Sequence, residues 1–174
     1  MTSSFSSVVR KPIAIVLIGQ PASGKSTLAR RLLRELKTAH LISSDVFLEN
    51  CGMSYDLAFK HFAKEADKFK RDTLRYAVED KADILWDQTN LNFKYQFPKD
   101  YYKIAVVMPY VSWERTEQVN TLRRGKTISK EVWKQFAVAY DCLWGRLIEF
   151  PSGMLTGFDE TIFAPSFELV KKVG

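Results

Sequence analysis

A phosphate-binding pattern follows the first apolar run of the chain. The sequence G-Q-P-A-S-G-K-S comes directly after I-A-I-V-L-I and fits G-x-x-x-x-G-K-[ST]. Its glycines let backbone N–H groups turn towards phosphate oxygens, and the next helix adds its positive N-terminal end. We expect Lys25 to reach the β- and γ-phosphates of a nucleoside triphosphate and Ser26 to bind Mg²⁺ through its hydroxyl. The residues predicted to surround the nucleotide phosphates are Gly19, Gln20, Pro21, Ala22, Ser23, Gly24, Lys25, Ser26 and Thr27.

Two aspartates stand at the ends of later predicted strands. Asp45 follows H-L-I-S-S and Asp87 follows A-D-I-L-W. Ligands of open parallel sheets bind beyond the carboxyl ends of the strands, so both carboxylates should face the phosphate loop. One could hold Mg²⁺ through a water molecule, and the other could accept a proton from an attacking hydroxyl. Alone, Asp45 could equally be a helix cap ahead of V-F-L.

A pair of arginines, Arg123 and Arg124, lies in L-R-R-G-K-T between two predicted helices. Arginines on such a connection can close over a triphosphate and offset the charge that develops on the transferred group, with Lys126 assisting. The alternative is a basic helix C-terminus that is favoured by the helix dipole.

Apolar runs alternate with helical patterns along the chain, which is typical of a parallel α/β sheet. In the first predicted helix, Leu28, Leu32, Leu33 and Leu36 form the inner stripe. The pattern predicts strands at 13–18, 40–43, 82–86, 102–108 and 161–164, and helices at 25–36, 55–80, 112–123 and 129–144.

The long helical pattern from 55 to 80 has two different faces. The apolar side is predicted to contain Phe59, Phe62, Ala66, Phe69 and Ala77. The opposite side contains Lys60, Lys64, Lys68, Arg71 and Arg75. This basic face is either ordinary solvated surface or a track for a phosphate backbone.

Composition describes a globular domain with a basic surface. The 174 residues are 46% hydrophobic and 26% charged, which fits one domain at 12–174 preceded by a flexible tail at 1–11. The net charge of +6 favours a polyanionic partner. Two distant cysteines, Cys51 and Cys142, indicate a reducing, cytoplasmic environment. No apolar segment approaches the length of a membrane span, so no membrane association is expected.

Four segments together resemble the kinase domain of polynucleotide 5′-kinases, which include the phage end-healing enzyme and the bacterial and animal kinase-phosphatases. They are the loop G-Q-P-A-S-G-K-S-T, then I-S-S-D, then D-Q-T-N-L-N, and then R-R-G before a helix. The segment F-P-S-G-M-L-T-G-F-D-E is similar to the C-terminal P…EGFD stretch of that family. The resemblance spans residues 13–164, and its most specific part is the D-x-T-N segment and its spacing from the loop.

This resemblance implies a P-loop kinase fold: a central parallel sheet of about four to five strands, flanked by helices, with a helical lid. It implies ATP and Mg²⁺ as cofactors, and it makes Asp45 the general base. By the same resemblance, Asp87, Thr89 and Asn90 organise the acceptor side and the magnesium shell. Arg124 becomes the lid arginine that contacts the donor phosphates, with Arg123 beside it.

The chain departs from the family on the acceptor side. Leu48 stands where the phage enzyme has an arginine that contacts the acceptor strand. After D-Q-T-N the chain reaches Pro98 quickly, where the family continues into a helix with an arginine; Lys94 could substitute. No D-x-D-x-T phosphatase motif is present, so no 3′-phosphatase activity is expected.

The expected function is ATP-dependent transfer of the γ-phosphate to a nucleic-acid hydroxyl, foremost the 5′-hydroxyl end of DNA or RNA. Lys64, Lys68 and Arg71 would contact the acceptor backbone, and Trp113 or Phe93 could stack on bases. The alternatives are a kinase of hydroxymethylated bases in DNA, a nucleoside or sugar kinase, and an ATP-driven switch protein. The sequence leaves open the choice of DNA or RNA, the donor purine and the oligomeric state.

Overall fold

The computed structural model describes residues 10–123, 125–149 and 154–164. Sequence predictions for residues 1–9, for Arg124 and for the F-P-S-G segment at 150–153 therefore lie outside the described residues. The elements are β1 (Ile13–Ile18), α1 (Lys25–Glu35), β2 (His40–Ile42), α2 (Ser44–Glu49), α3 (Tyr55–Glu79), β3 (Ile84–Asp87), β4 (Tyr102–Val107), α4 (Trp113–Leu122), α5 (Lys130–Glu149) and β5 (Glu160–Phe163).

The five strands form one parallel sheet in the order β2-β3-β1-β4-β5, which confirms the predicted α/β fold. Strand β1 is central, and its residue Leu17 pairs in register with Asp87 of β3. Ile42 of β2 pairs with Trp86. This register brings the carboxyl ends of β1, β2 and β3 to the same edge, so the phosphate loop and the two predicted aspartates lie on one side of the molecule.

Helices cover both faces of the sheet, because side chains on a strand alternate between its two faces. On one face, the predicted leucine stripe of α1 packs against Ile15, Leu17, Leu85, Val106 and Met108. On the other, α3 and α5 contribute Leu74, Ala77, Tyr140, Leu143 and Leu147 to a core with Val16, Ile84 and Trp86. Asp87 and Trp86 are neighbours in β3, so their side chains lie on opposite faces of the sheet.

Helix α3 is kinked, which corrects the predicted apolar face. Phe62 has φ −127° and ψ 17°, outside the helical range. In a straight helix Phe59 would lie within about 20° of the buried Ala66. Phe59 is instead 56% exposed and Phe69 39% exposed, so neither belongs to the buried face of the helix. The residues that α3 buries are Ala58, Ala66, Leu74 and Ala77.

Two further details differ from the sequence prediction. Residues 44–49 form a six-residue helix, α2, where the sequence indicated only a strand end or a cap. Arg10, assigned by sequence to a flexible tail, forms an ion pair with the buried Asp83. Among the described residues, the helices lack the combination of length and apolarity that crossing a membrane requires.

Candidate active site

The phosphate loop occupies residues 19–24, between β1 and α1. Ala22 and Gly24 have positive φ values of 66° and 88°, so the backbone curls into the shape that directs N–H groups inward. The Gly19 N–H donates to the Thr89 carbonyl at 2.9 Å. A Cβ on Gly19 would lie 2.7 Å from the Met108 Cβ, so only glycine fits where the loop passes β4. The loop is thus clamped between the ends of β3 and β4.

Gln20 holds the loop from inside. Its side chain is fully buried; its Oε1 accepts from the Val111 N–H at 2.8 Å, and its Nε2 donates to the Val111 carbonyl at 3.3 Å. The sequence predicted Gln20 as a phosphate-binding residue. In the structure its side chain instead fixes the loop against the segment after β4. Any contact of Gln20 with a phosphate is therefore left to its backbone.

Lys25 is buried and folds back over the loop. Its ammonium donates to the Gly19 carbonyl at 2.9 Å, to the Gln20 carbonyl at 2.6 Å and to the Ser23 hydroxyl at 3.3 Å. Burial lowers the pKa of Lys25 to about 8, although the charges of Asp87 and Asp45 oppose the change. A bound triphosphate would offer stronger, charged acceptors in place of these neutral ones.

Asp87 and Ser26 form the other half of the phosphate site. Burial raises the pKa of Asp87, although the nearby Ser26 hydroxyl and the charge of Lys25 act in the opposite direction. Hydroxyl and carboxylate oxygens are the donors that Mg²⁺ prefers, and Mg²⁺ usually binds through few protein ligands together with water and phosphate. Ser26 and Asp87 are therefore the candidate ligands for Mg²⁺. Within the described part of the chain there is no cluster of three or more His, Cys, Asp or Glu that could hold a metal.

Asp45 lies in the first turn of α2, one residue after its first position, and both of its oxygens are engaged. The Tyr55 hydroxyl donates to Oδ1 at 2.6 Å, and the Lys126 ammonium donates to Oδ2 at 2.5 Å. The N-cap of α2 is Ser43, so the alternative role of Asp45 as the cap does not hold. Its carboxylate points towards the connection between α4 and α5, and it affects the pKa of both Lys25 and Asp87.

We call residues 125–129, within the connection between α4 and α5, the lid loop. Lys126 of this loop also lies 3.5 Å from Glu49 and 4.6 Å from the centre of the Tyr55 ring. A Cβ on Gly125, whose φ is 70°, would lie 3.2 Å from the Ser54 Cβ. The lid loop therefore rests on the first turn of α3. Burial lowers the pKa of Arg123, and the charge of Arg123 in turn helps to lower the pKa of Lys25.

Thr89 and Asn90 support the phosphate loop and the strand before it, Thr89 through its backbone carbonyl and Asn90 through its side-chain amide. Asn90 has a φ of 51°, and its Nδ2 donates to the Leu17 carbonyl at 2.8 Å. The neighbouring Gln88 donates from Nε2 to the Ser44 hydroxyl at 2.6 Å and so ties β3 to the residue before Asp45. Sequence reasoning missed Gln88 and Tyr55, although Gln88 stands inside the D-Q-T-N segment.

The predicted basic face of α3 is partly neutralised by its own helix. Arg71 and Lys70 both pair with Asp67, and Arg75 pairs with Asp72 and Glu79. Lys64 and Lys68 are exposed and make no ion pair with any described residue. Of the two predicted stacking residues, Phe93 is partly buried and packs against the hydrophobic core. Trp113 packs edge-on against Trp133, with 6.0 Å between ring centres.

Comparison with known proteins defines the class. Among solved structures, a Chloroflexus aurantiacus J-10-fl protein provisionally described as a kinase is 14% identical, with a TM-score of 0.54 over 94% of this chain and 97% of that one. Shikimate kinase from Acinetobacter baumannii, in complex with shikimate, is 19% identical, with a TM-score of 0.50 over 93% and 90% of the two chains. A chain of the Pnkp1/Rnl/Hen1 complex is 17% identical, with a TM-score of 0.46 over 72% of this chain and 43% of that one.

The two likenesses with TM-scores of 0.54 and 0.50 show the α/β fold that the sequence predicted. A family model described as "AAA domain" matches residues 15–140, and the chain belongs to that family. A search of curated proteins found no significant match. The resemblance to polynucleotide 5′-kinases is thus supported at the level of the fold and of the AAA-domain family.

Proposed function

We propose that this protein transfers the γ-phosphate of ATP to a hydroxyl of a nucleic acid, foremost the 5′-hydroxyl end of DNA or RNA. The observation that carries the proposal is the position of Asp45. Its carboxylate lies within electrostatic reach of Lys25 and Asp87, and it already accepts a hydroxyl hydrogen at 2.6 Å, from Tyr55. A carboxylate in that position can accept the proton of an acceptor alcohol in the same way.

In this mechanism, Lys25 leaves its three loop acceptors for oxygens of the β- and γ-phosphates. Ser26 and Asp87 would hold Mg²⁺, Asp87 through a water molecule, and the metal when bound offsets phosphate charge. The acceptor hydroxyl displaces Tyr55 and Lys126 from Asp45 and gives up its proton to the carboxylate. Its oxygen bonds to the γ-phosphorus as the bond to the β–γ bridging oxygen breaks, and ADP leaves. Arg123 and Arg124 would offset the charge on the transferred group.

Two features support a nucleic-acid acceptor. The net charge of the chain is +6, and Lys64 and Lys68 present unpaired positive charge on α3 among the described residues. Arg71 can join them if a phosphate competes with Asp67. In this proposal Thr89 and Asn90 support the acceptor side by fixing the segment after β3.

A small-molecule kinase, for a nucleoside or a sugar, is the second candidate. It is favoured by the ion pairs of Arg71 and Arg75 within α3, which reduce the positive field that a long polyanion would follow. A kinase of hydroxymethylated bases would use the same donor machinery as either candidate. An ATP-driven switch would have no need of a carboxylate that is placed to accept a hydroxyl.

A labelled-phosphate panel separates these possibilities. ATP labelled at the γ-phosphate is offered with 5′-hydroxyl DNA, 5′-hydroxyl RNA, a hydroxymethylated duplex, and a mixture of nucleosides and sugars. The proposal predicts label on the 5′ end of a nucleic acid, removable by a phosphatase that acts on termini. Label found only in small molecules, only at internal bases, or only as inorganic phosphate would replace the proposal with the corresponding alternative.

A further inference from the structure

A cavity of about 510 Å³ lies between α3, α5 and the segment that follows β3. It is on the sheet face opposite α1, and its size is in the range of small-ligand sites. Four aromatic residues contribute to its wall: Trp86, Phe93, Tyr95 and Phe136. The nucleotide phosphates belong to the loop before α1, so this cavity is free for a different group.

The rings in the wall are arranged around Trp86. The Phe93 ring meets it edge-on, with 5.1 Å between centres and 88° between planes, and the Tyr95 ring is tilted at 47° with centres 5.3 Å apart. Tyr95 is exposed, and Trp86 is nine-tenths buried. The buried indole N–H of Trp86 has no hydrogen-bond partner among the described residues. An unpaired buried donor carries a desolvation cost in the free protein.

The rest of the lining is polar in a way that suits a heterocycle. Gln88, Asn92 and Gln135 supply side-chain amides, each of which can donate and accept hydrogen bonds. Lys70 and Lys94 also line the cavity. Lys70 is held by Asp67 at 2.7 Å, whereas Lys94 is exposed and has no ion pair among the described residues. Rings, amides and a free ammonium together match a base, its edge and a neighbouring phosphate.

One residue, Gln88, links the cavity to Asp45, the candidate general base. Gln88 lines the cavity and donates to the hydroxyl of Ser44, which directly precedes Asp45. Trp86, on the cavity side, directly precedes Asp87, on the phosphate side. The cavity and the candidate general base are thus joined by one hydrogen bond, that between Gln88 and Ser44.

We propose that this cavity binds the nucleobase of the nucleotide that carries the acceptor hydroxyl. The base stacks on the aromatic wall with its edge towards the amides, and the next phosphate lies near Lys94. This proposal rests on the proposed function for the reaction itself and adds the recognition of a base.

The test compares two 5′-hydroxyl oligonucleotides that differ only in whether the terminal nucleotide carries a base. Stacking of one base supplies enough free energy for the wild-type protein to prefer the complete terminus about tenfold or more in kcat/KM. Tyr95→Ala removes an exposed part of the wall. It should slow the complete substrate by about tenfold and so remove most of the preference for the complete terminus over the abasic one. Tyr76→Ala, an exposed tyrosine on α3 outside the cavity, is the matched control and should keep the wild-type preference.

The two proposals fail in different ways. Equal rates on the complete and abasic termini would overturn base recognition and leave the kinase proposal intact. Transfer to neither oligonucleotide would contradict the kinase proposal, and base recognition is then decided by binding alone. In that case thymidine and adenosine are titrated while tryptophan fluorescence is followed. Binding that Tyr95→Ala weakens about tenfold, with Tyr76→Ala unchanged, supports the cavity assignment, and no binding of either nucleoside overturns it.

Discussion

The Lys126 ammonium donates to the Asp45 carboxylate at 2.5 Å, although 81 residues separate the two in the chain. This contact joins the lid loop to the first turn of α2. Together with the Tyr55 hydroxyl on the other oxygen, it gives each oxygen of the carboxylate one partner in the free protein. We infer that an acceptor hydroxyl reaches Asp45 by displacing these two groups.

Removing the lysine should uncover the carboxylate. In Lys126→Met we expect ATP hydrolysis without acceptor to rise several-fold, because water can then approach Asp45 from the Oδ2 side. The ion pair is partly exposed, so the free energy of unfolding should change by less than about 1 kcal/mol. Phosphate release and urea unfolding measure the two effects separately. Lys134→Met, which removes an exposed lysine on α5, is the control for the loss of charge. Unchanged hydrolysis in Lys126→Met would show that the Lys126 contact does not restrict access to Asp45.

The pKa of Lys25 predicts how ATP binding depends on pH. Burial lowers this pKa from 10.5 to about 8, so above pH 8 the free protein increasingly holds a neutral lysine. Phosphates favour the charged form, so binding takes up a proton, and ATP affinity should fall as pH rises from about 8 towards 10.5. Calorimetry at pH 9 in two buffers of different ionisation enthalpy measures this uptake. Lys25→Met should abolish it; the same uptake in that variant would assign the proton to another group.

Charge on α3 should control nucleic-acid affinity. Replacing Lys64, Lys68 and Arg71 with glutamine should weaken DNA or RNA binding. The logarithm of the binding constant falls linearly with the logarithm of the salt concentration. If a side chain neutralises one phosphate, its replacement should make this slope shallower by about 1. Arg71 should contribute less than the lysines because it must leave Asp67. Arg34→Gln with Lys37→Gln, at the end of α1 and beyond, makes a similar charge change elsewhere. Binding that responds equally to both sets would indicate a general field effect and not a track on α3.

The close approach at Gly19 predicts a large effect from one methyl group. In Gly19→Ala the new Cβ would lie 2.7 Å from the Met108 Cβ, which is part of a buried strand end. We expect a loss of about 1–3 kcal/mol in the free energy of unfolding, together with weaker ATP binding as the loop shifts. Gly145→Ala in α5 meets no atom within 4 Å and should instead stabilise the protein by about 0.5–1 kcal/mol. Thermal unfolding distinguishes them, and equal shifts would contradict this explanation.

Local patterns were sufficient for much of the fold. The strand at Ile13–Ile18 and the loop after it are specified by an apolar run and a motif, and both lie where the sequence predicted them. Asp45 and Asp87 came from a rule about strand ends, which holds because parallel strands share one carboxyl edge. These are short-range or topological regularities, so a single sequence contains them.

The contacts that complete the site are long-range and were not predictable. The partners of Asp45 are Tyr55 and Lys126, and nothing local to either residue indicates that it points at the carboxylate. The same holds for the link between Gln20 and Val111, which depends on how the loop packs against the segment after β4. Helical periodicity likewise reveals neither the kink at Phe62 nor the exposure of Phe59.

The most direct test of the proposed mechanism is single-turnover phosphoryl transfer by Asp45→Asn. The amide keeps the size of the side chain and cannot accept the proton, so transfer should fall by about 100- to 10,000-fold while ATP affinity stays near the wild-type value. Asp141→Asn, an exposed position on α5, should retain full transfer. Near-normal transfer by Asp45→Asn would contradict the assignment of the base and, with it, the mechanism.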